Sequence, residues 1–158
     1  MRAQLALTLA LAPRPELVVL DDPALGLDAV VRREFLEVMI DLIQEEGRTL
    51  LFTSHVLTDV ERVADRVAIL DHGVLRANAP VEDLKARVKR WRLAFDGEPP
   101  PLPEISGLVR TQRLRNELLL TIVDGGGALD SLGARSIEPE SLGLEELFID
   151  YTTEKVGV

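Results

Sequence analysis

At 158 residues, 46% of them hydrophobic, the chain is long enough to bury the core of one domain or of two small ones. Its formal charge of -9, from 18 basic and 27 acidic residues, argues against a nucleic-acid-binding face, because binding a polyanion depends on clustered Lys and Arg. Without cysteine there is neither a disulfide framework nor a thiolate metal site, so redox chemistry marks no compartment and the cytoplasm is the default.

The first dozen residues imitate a secretory leader, with Met1-Arg2, an apolar stretch from Leu5 to Ala12 and the small-residue pattern Ala10-Leu11-Ala12. The stretch is brief, is interrupted by Thr8 and leads directly into a strand, so a helix is expected instead. It is too short to cross a bilayer, which needs about 20 apolar residues. Leu17-Val18-Val19-Leu20 is then a continuous apolar run that stops at Asp21-Asp22-Pro23. Such a run predicts a strand covered on both faces, as central parallel strands are, and Pro23 ends its ladder for want of an N–H. Charged groups at the carboxyl end of such a strand stand where open α/β sheets place their ligands, which makes Asp21 and Asp22 candidate site residues. Asp28 can cap the next helix by accepting from exposed amides at its start. In that helix Val31, Phe35, Val38, Met39, Leu42 and Ile43 recur at helical spacing, with Arg32, Arg33, Glu37, Glu45 and Glu46 largely between them. Gly47 closes it as a C′ residue.

Residues 49–54 read as a second strand, and His55 at its carboxyl end begins a short amphipathic helix through Val56, Val60 and Val63. By itself a lone histidine is structural or merely exposed. Asp71-His72-Gly73 has hairpin-turn chemistry between strands 67–70 and 74–77, which gives His72 a turn role. Pro80, at a first helical position, introduces a basic amphipathic helix from Val81 to about Arg90. Membrane-surface binding and a solvated face with Leu84 and Val88 packed inward both fit that helix, and the solvated face is expected. Gly97-Glu98-Pro99-Pro100-Pro101-Leu102-Pro103 stiffens the chain toward polyproline II, as a spacer or a connection, and cannot lie inside a sheet.

The remainder reads as strands 91–95, 108–114 and 117–123, a short helix after Gly125-Gly126-Gly127, strand 134–138 and a final helix 142–152. Arg115-Asn116 turns the middle two strands into a hairpin. The order fits a small α+β unit of split β-α-β, ferredoxin-like type with its first connecting helix nearly absent. The triple glycine has no following lysine and no Gly-x-Gly-x-x-Gly spacing, so it reads as a flexible loop rather than a phosphate cradle. Ser141 is the expected N-cap of the last helix, with Glu145 and Glu146 in its first turns and Leu144, Leu147, Phe148 and Tyr151 as its buried stripe.

The run Leu17 to Pro23, continuing through Ala24-Leu25-Gly26-Leu27-Asp28, resembles the Walker B strand and D-loop of ATP-binding-cassette (ABC) ATPases. Leu50-Leu51-Phe52-Thr53-Ser54-His55 resembles the next strand of that family with its switch histidine, and Val63 through Gly73 the strand and hairpin that follow. The resemblance implies an α/β fold, a partial P-loop NTPase (ABC) sheet with helices over residues 1–90, followed by a small α+β accessory unit over 91–158. It further implies that Asp21 holds Mg2+, largely through water, and that Asp22 stands where the family has a catalytic glutamate that orients or deprotonates the attacking water. His55 would contact the terminal phosphate of ATP. Asp28 would lie in a loop that meets a partner subunit across the nucleotide sandwich, a reading that stands beside that of a plain cap. Asp22 is a methylene shorter than glutamate and Leu25 replaces a usual small polar residue, and catalysis tolerates little misplacement.

An ATP site of this kind needs G-x-x-x-x-G-K-[ST], and here no glycine precedes a lysine. The Leu-Ser-Gly-Gly of the signature is missing too, and Met1 falls at its last position. The chain therefore resembles the carboxyl-terminal part of an ABC subunit, through truncation, proteolysis or a misplaced start, and is expected to be inactive alone. Ser141 to Phe148 resembles the Ser-Leu-Glu-Glu-Val-Phe helix that closes many ABC exporter ATPases of multidrug or ABC-2 type, with Gly143 inserted, which favours an exporter. The resemblance implies a second ATP-binding subunit and a membrane permease as partners, at the cytoplasmic face of the membrane. Loss of upstream strands would leave an open sheet edge and drive homo-oligomers of the fragment. Chromosome-structural and DNA-repair proteins share the ATPase head but would add long heptads or basic patches, and neither occurs. A non-enzymatic regulatory or assembly module remains the other reading, to be separated by nucleotide binding.

Overall fold

In the computed structural model, which describes residues 8–44, 47–126 and 129–153, the chain folds as two units, Met1–Ala64 and Asp65–Val158. Residues 8–11 of the leader-like stretch are helical. Met1, Arg2, Leu5, Glu45, Glu46 and Gly127 lie outside the described residues.

In the first unit, strand β1 (Leu17–Leu20) runs parallel to β2 (Thr49–Phe52), with Leu17 opposite Thr49 and Leu20 opposite Phe52. Parallel strands need a long crossover, and helix α1 (Ala29–Gln44) supplies it. Asp28 caps α1 as expected, its Oδ1 accepting from the amides of Val30 and Val31 at 3.0 and 3.1 Å. Gly47 has a φ of +62°, the left-handed conformation that suits a glycine just past a helix, and the Arg48 amide bonds back to the Leu42 carbonyl. Phe35, Leu36 and Met39 of α1 form the core with Val63 of the short helix α2 (Leu57–Val63), and Leu20, Leu50 and Phe52 pack against them.

Among the described residues the expected cover on both faces of β1 is not found. Leu17, Val19 and Leu51 are 54%, 65% and 61% exposed, because α1 covers one face of a two-stranded sheet and the residues of the other alternate outward. Strand β2 also stops at Phe52, which leaves Thr53, Ser54 and His55 beyond the ladder.

The second unit begins with the hairpin of β3 (Arg66–Asp71) and β4 (Val74–Pro80). His72 and Gly73 both adopt positive φ, +48° and +78°, as a two-residue I′ turn requires. Helix α3 (Val81–Arg87) follows and passes without a break into β5 (Val88–Ala94). The helix thus ends three residues before the expected Arg90, and Pro80 is its cap rather than its first residue. Pairing overrides helical spacing here, since Val88, Lys89 and Arg90 face Val123, Ile122 and Thr121 across the sheet.

β5 lies inside a four-stranded sheet with β6 (Leu108–Arg113), β7 (Glu117–Val123) and β8 (Ser136–Ser141), in the order β6-β7-β5-β8 with every neighbour antiparallel. That is the strand order of the ferredoxin-like arrangement. The first connecting helix is replaced by irregular chain carrying the proline run, and the second by a 3-10 turn, Leu129–Leu132. Arg115-Asn116 turns β6 into β7 as expected, with the Leu114 amide on the Glu117 carbonyl at 2.9 Å. Leu93, Leu118, Leu120 and Ile122 bury one face with Phe95 and Leu129.

Helix α4 (Leu144–Thr152) is anchored by the buried Leu144, Leu147 and Asp150. Phe148 is exposed and Tyr151 half-buried, so the expected apolar stripe is corrected to one that includes a carboxylate. Ser141 is the last residue of β8, opposite Lys89, and Gly143 takes the cap position, its amide donating to Glu146 Oε2 at 2.9 Å. By packing the chain divides between Ala64 and Asp65, and the 90/91 position lies within β5. Among the described residues no helix is long and apolar enough to cross a membrane.

Candidate functional site

Parallel pairing of Leu20 with Phe52 brings the ends of β1 and β2 level, so Asp21-Asp22 and Thr53-Ser54-His55 emerge side by side. The Thr53 amide donates to the Leu20 carbonyl at 3.0 Å and closes the ladder. Its hydroxyl then donates to Asp21 Oδ1 at 2.5 Å and accepts from the Asp22 amide at 2.9 Å. His55 Nδ1 meets Asp22 Oδ2 at 2.6 Å. Asp22 Oδ1 is buried and has no hydrogen-bond partner among the described residues.

Asp22 has a φ of +41°, in the left-handed region that Asp tolerates better than most residues. The turn behind it is held by the Leu25 amide on the Asp22 carbonyl at 3.0 Å and the Leu27 amide on the Ala24 carbonyl at 3.2 Å, with Gly26 also at positive φ. Three of the four residues singled out in the sequence are therefore linked, Asp21 and Asp22 through the Thr53 hydroxyl and His55 through the Asp22 carboxylate. Asp28 lies past the turn, exposed, with its carboxylate engaged on the first amides of α1. Thr53 was not foreseen. Only its level with Asp21 gives it a role, and that level depends on strand register.

The donor set is two carboxylates and a hydroxyl, hard oxygens that suit Mg2+, and the unpartnered Asp22 oxygen is a free acceptor inside it. Among the described residues no group of three or more acidic or histidine side chains could hold a metal. A cavity of about 730 Å³ lies elsewhere, between Asp96–Pro99 and Arg113–Asn116, with both charge signs on its wall.

No family model matches the chain. A parallel pair ending in adjacent carboxylates on one strand and a Thr-Ser-His on the next is what the Walker B and switch-histidine resemblance requires, and the curated relatives are of that class. The chain is a homologue of ABC transporter ATP-binding proteins. It is 38% identical over 96 residues to YtrB of Bacillus subtilis, covering 61% of this chain and 33% of that protein. It is 33% identical over 91 residues to the bacitracin transport ATP-binding protein BcrA of Bacillus licheniformis, 58% of this chain and 30% of BcrA. With an ABC transporter ATP-binding protein of Alkalihalophilus pseudofirmus the identity is 30% over 153 residues, 91% of this chain and 55% of the relative. The chain thus spans between 30% and 55% of the length of these relatives, and the mixed α/β fold is that of a partial ABC ATPase followed by a small α+β unit.

Proposed function

We propose that the chain is the carboxyl-terminal part of an ATP-binding subunit of an ABC exporter, in which ATP hydrolysis is coupled to transport. The observation that carries this reading is the Asp21–Thr53–Asp22–His55 cluster at the ends of two parallel strands. In the whole subunit Asp21 would hold Mg2+, which would supply positive charge to offset the negative charge of the phosphates. Asp22, with its free Oδ1, orients and accepts a proton from the attacking water, and His55, oriented by Asp22 Oδ2, donates toward the terminal phosphate. Asp28 faces the second ATP-binding subunit. The match to the Alkalihalophilus relative over 91% of this chain supports an ATPase-derived part and a following accessory part of one polypeptide. The resemblance of Ser141 to Phe148 to the closing helix of exporter ATPases supports the exporter type. The subunit then works at the cytoplasmic face of the membrane on a permease.

The phosphate cradle is not in this sequence, and Mg2+ in such a site is held largely through nucleotide phosphates. Calorimetry with Mg-ATP on the 158-residue chain should therefore show no saturable binding in the micromolar range. In the full-length subunit with its permease, Asp22→Asn should lower turnover by about 10²–10⁴-fold, the usual worth of a general base. Tight phosphate-dependent binding by the chain alone would overturn its inactivity, and an undiminished Asp22→Asn enzyme would overturn the role of Asp22.

A further inference from the structure

We infer that Thr53 is a positioning residue whose one hydroxyl sets Asp21 and Asp22 to different tasks. The tasks themselves rest on the ATPase reading above; the hold on both residues rests on geometry alone. A hydroxyl has a single donor and two acceptor lone pairs. Here the donor goes to Asp21 Oδ1 at 2.5 Å and one lone pair takes the Asp22 amide at 2.9 Å.

Each bond has a consequence. Donation to Asp21 offsets part of the repulsion between carboxylates on adjacent residues and fixes which oxygen of Asp21 stays open. Capture of the Asp22 amide satisfies a backbone donor that has left the β ladder, and so holds the left-handed turn at +41°. That turn carries the Asp22 side chain away from Asp21 and onto His55 at 2.6 Å, with Oδ1 left unpartnered. A shorter carboxylate than the family's glutamate is thereby aimed by backbone rather than by side-chain length. Packing does not dictate the residue, since Thr53 is exposed and valine would serve a strand end equally well. What threonine adds is a hydroxyl on a β-branched carbon with restricted χ1, and so an oxygen held in place beforehand.

Hydrogen exchange of the Asp22 amide, followed by NMR on the 158-residue chain, reads the clamp without nucleotide. Thr53→Val should speed that exchange about tenfold, the change a single hydrogen bond supports, and Thr53→Ser should restore protection. In the full-length subunit Thr53→Val should lower kcat by about 10- to 100-fold with KM for ATP nearly unchanged, and Thr53→Ser should recover most of it. Equal exchange in wild type and Thr53→Val would overturn the clamp. Faster exchange with kcat unchanged would overturn the positioning role. A wild-type subunit that does not turn over Mg-ATP would overturn the ATPase reading and the division of tasks, while the amide still decides whether the hydroxyl holds the turn.

Discussion

Asp150→Asn should destabilise the Asp65–Val158 unit by about 3 kcal/mol. The register sets Arg110, Thr121 and Arg90 side by side on three neighbouring strands. Asp150 reaches all three from α4. Arg110 donates to Oδ1 at 2.7 Å, while Arg90 and Thr121 donate to Oδ2 at 2.9 and 2.5 Å. The Asp150 side chain is 1% exposed and those of Arg90 and Arg110 are 18% and 21%. Burial works to raise its carboxyl pKa, but the bonds from Thr121, Arg90 and Arg110 outweigh burial and hold it below the ordinary carboxylate value. Asparagine keeps the volume but points an NH2 at a guanidinium, so a charge-assisted bond worth about 1.5–3 kcal/mol is lost and the other loses its charge. Breaking a fully buried pair costs about 3–5 kcal/mol, and both arginines can partly rehydrate, which keeps the loss near the lower end. Urea unfolding at pH 7, followed by circular dichroism, measures it. A depressed folded pKa means that the carboxylate's contribution is complete above its unfolded value of about 3.9 and is lost as the pH falls through the lower folded value. The gap between wild type and variant should narrow in that acid range. A loss under about 1 kcal/mol at pH 7, or a gap indifferent to acid, would refute the reasoning.

Asp28→Ala removes the acceptor for the Val30 and Val31 amides and should cost about 1 kcal/mol in the same assay, with Asp28→Ser recovering most of it. Gly107→Ala drives a Cβ into the Val123 carbonyl oxygen at a φ of +76°, and should lower stability by more than about 2 kcal/mol; an unchanged midpoint would contradict the tight approach. The exposed face of Leu17, Val19 and Leu51, on a sheet that has two open edges among the described residues, should make the chain self-associate. Light scattering should report an oligomer that Val19→Lys shifts toward monomer, and a monomeric wild type at high concentration would count against it.

Local chemistry was legible wherever a residue type leaves the backbone few options. Asp28 and Gly47 bound α1, His72-Gly73 turn the β3–β4 hairpin, and the strand order of the second unit follows from its hairpin and two crossovers. Asp21 and Asp22 were legible as candidates because an apolar strand ending in charge announces its own carboxyl end, whereas His55 was singled out only by the family resemblance. What escaped depends on contacts distant in sequence. Arg90, Arg110 and Thr121 lie 60, 40 and 29 residues from Asp150, which from spacing alone reads as one more solvated charge on an amphipathic helix. Val88, Lys89 and Arg90 continue the period of α3 and are taken from it only by β7, and the open face of β1 follows from how many strands pair rather than from its own residues.

The junction of α3 and β5 binds their fates together. The Val88 amide donates to the Leu84 carbonyl as the last bond of the helix, and the same residue opens the strand opposite Val123. No loop stands between them to absorb a change in one without disturbing the other. The Asp124 amide, just past β7, bonds to the Arg87 carbonyl at 2.9 Å and closes the junction from the far side. Fraying that began at Val81 would have to halt within two turns or strip the central strand from both neighbours. Helix α3 and the four-stranded sheet should therefore open as a single cooperative foldon, with the amides of this short helix sharing the slow exchange of the sheet instead of the fast fraying expected of seven isolated helical residues.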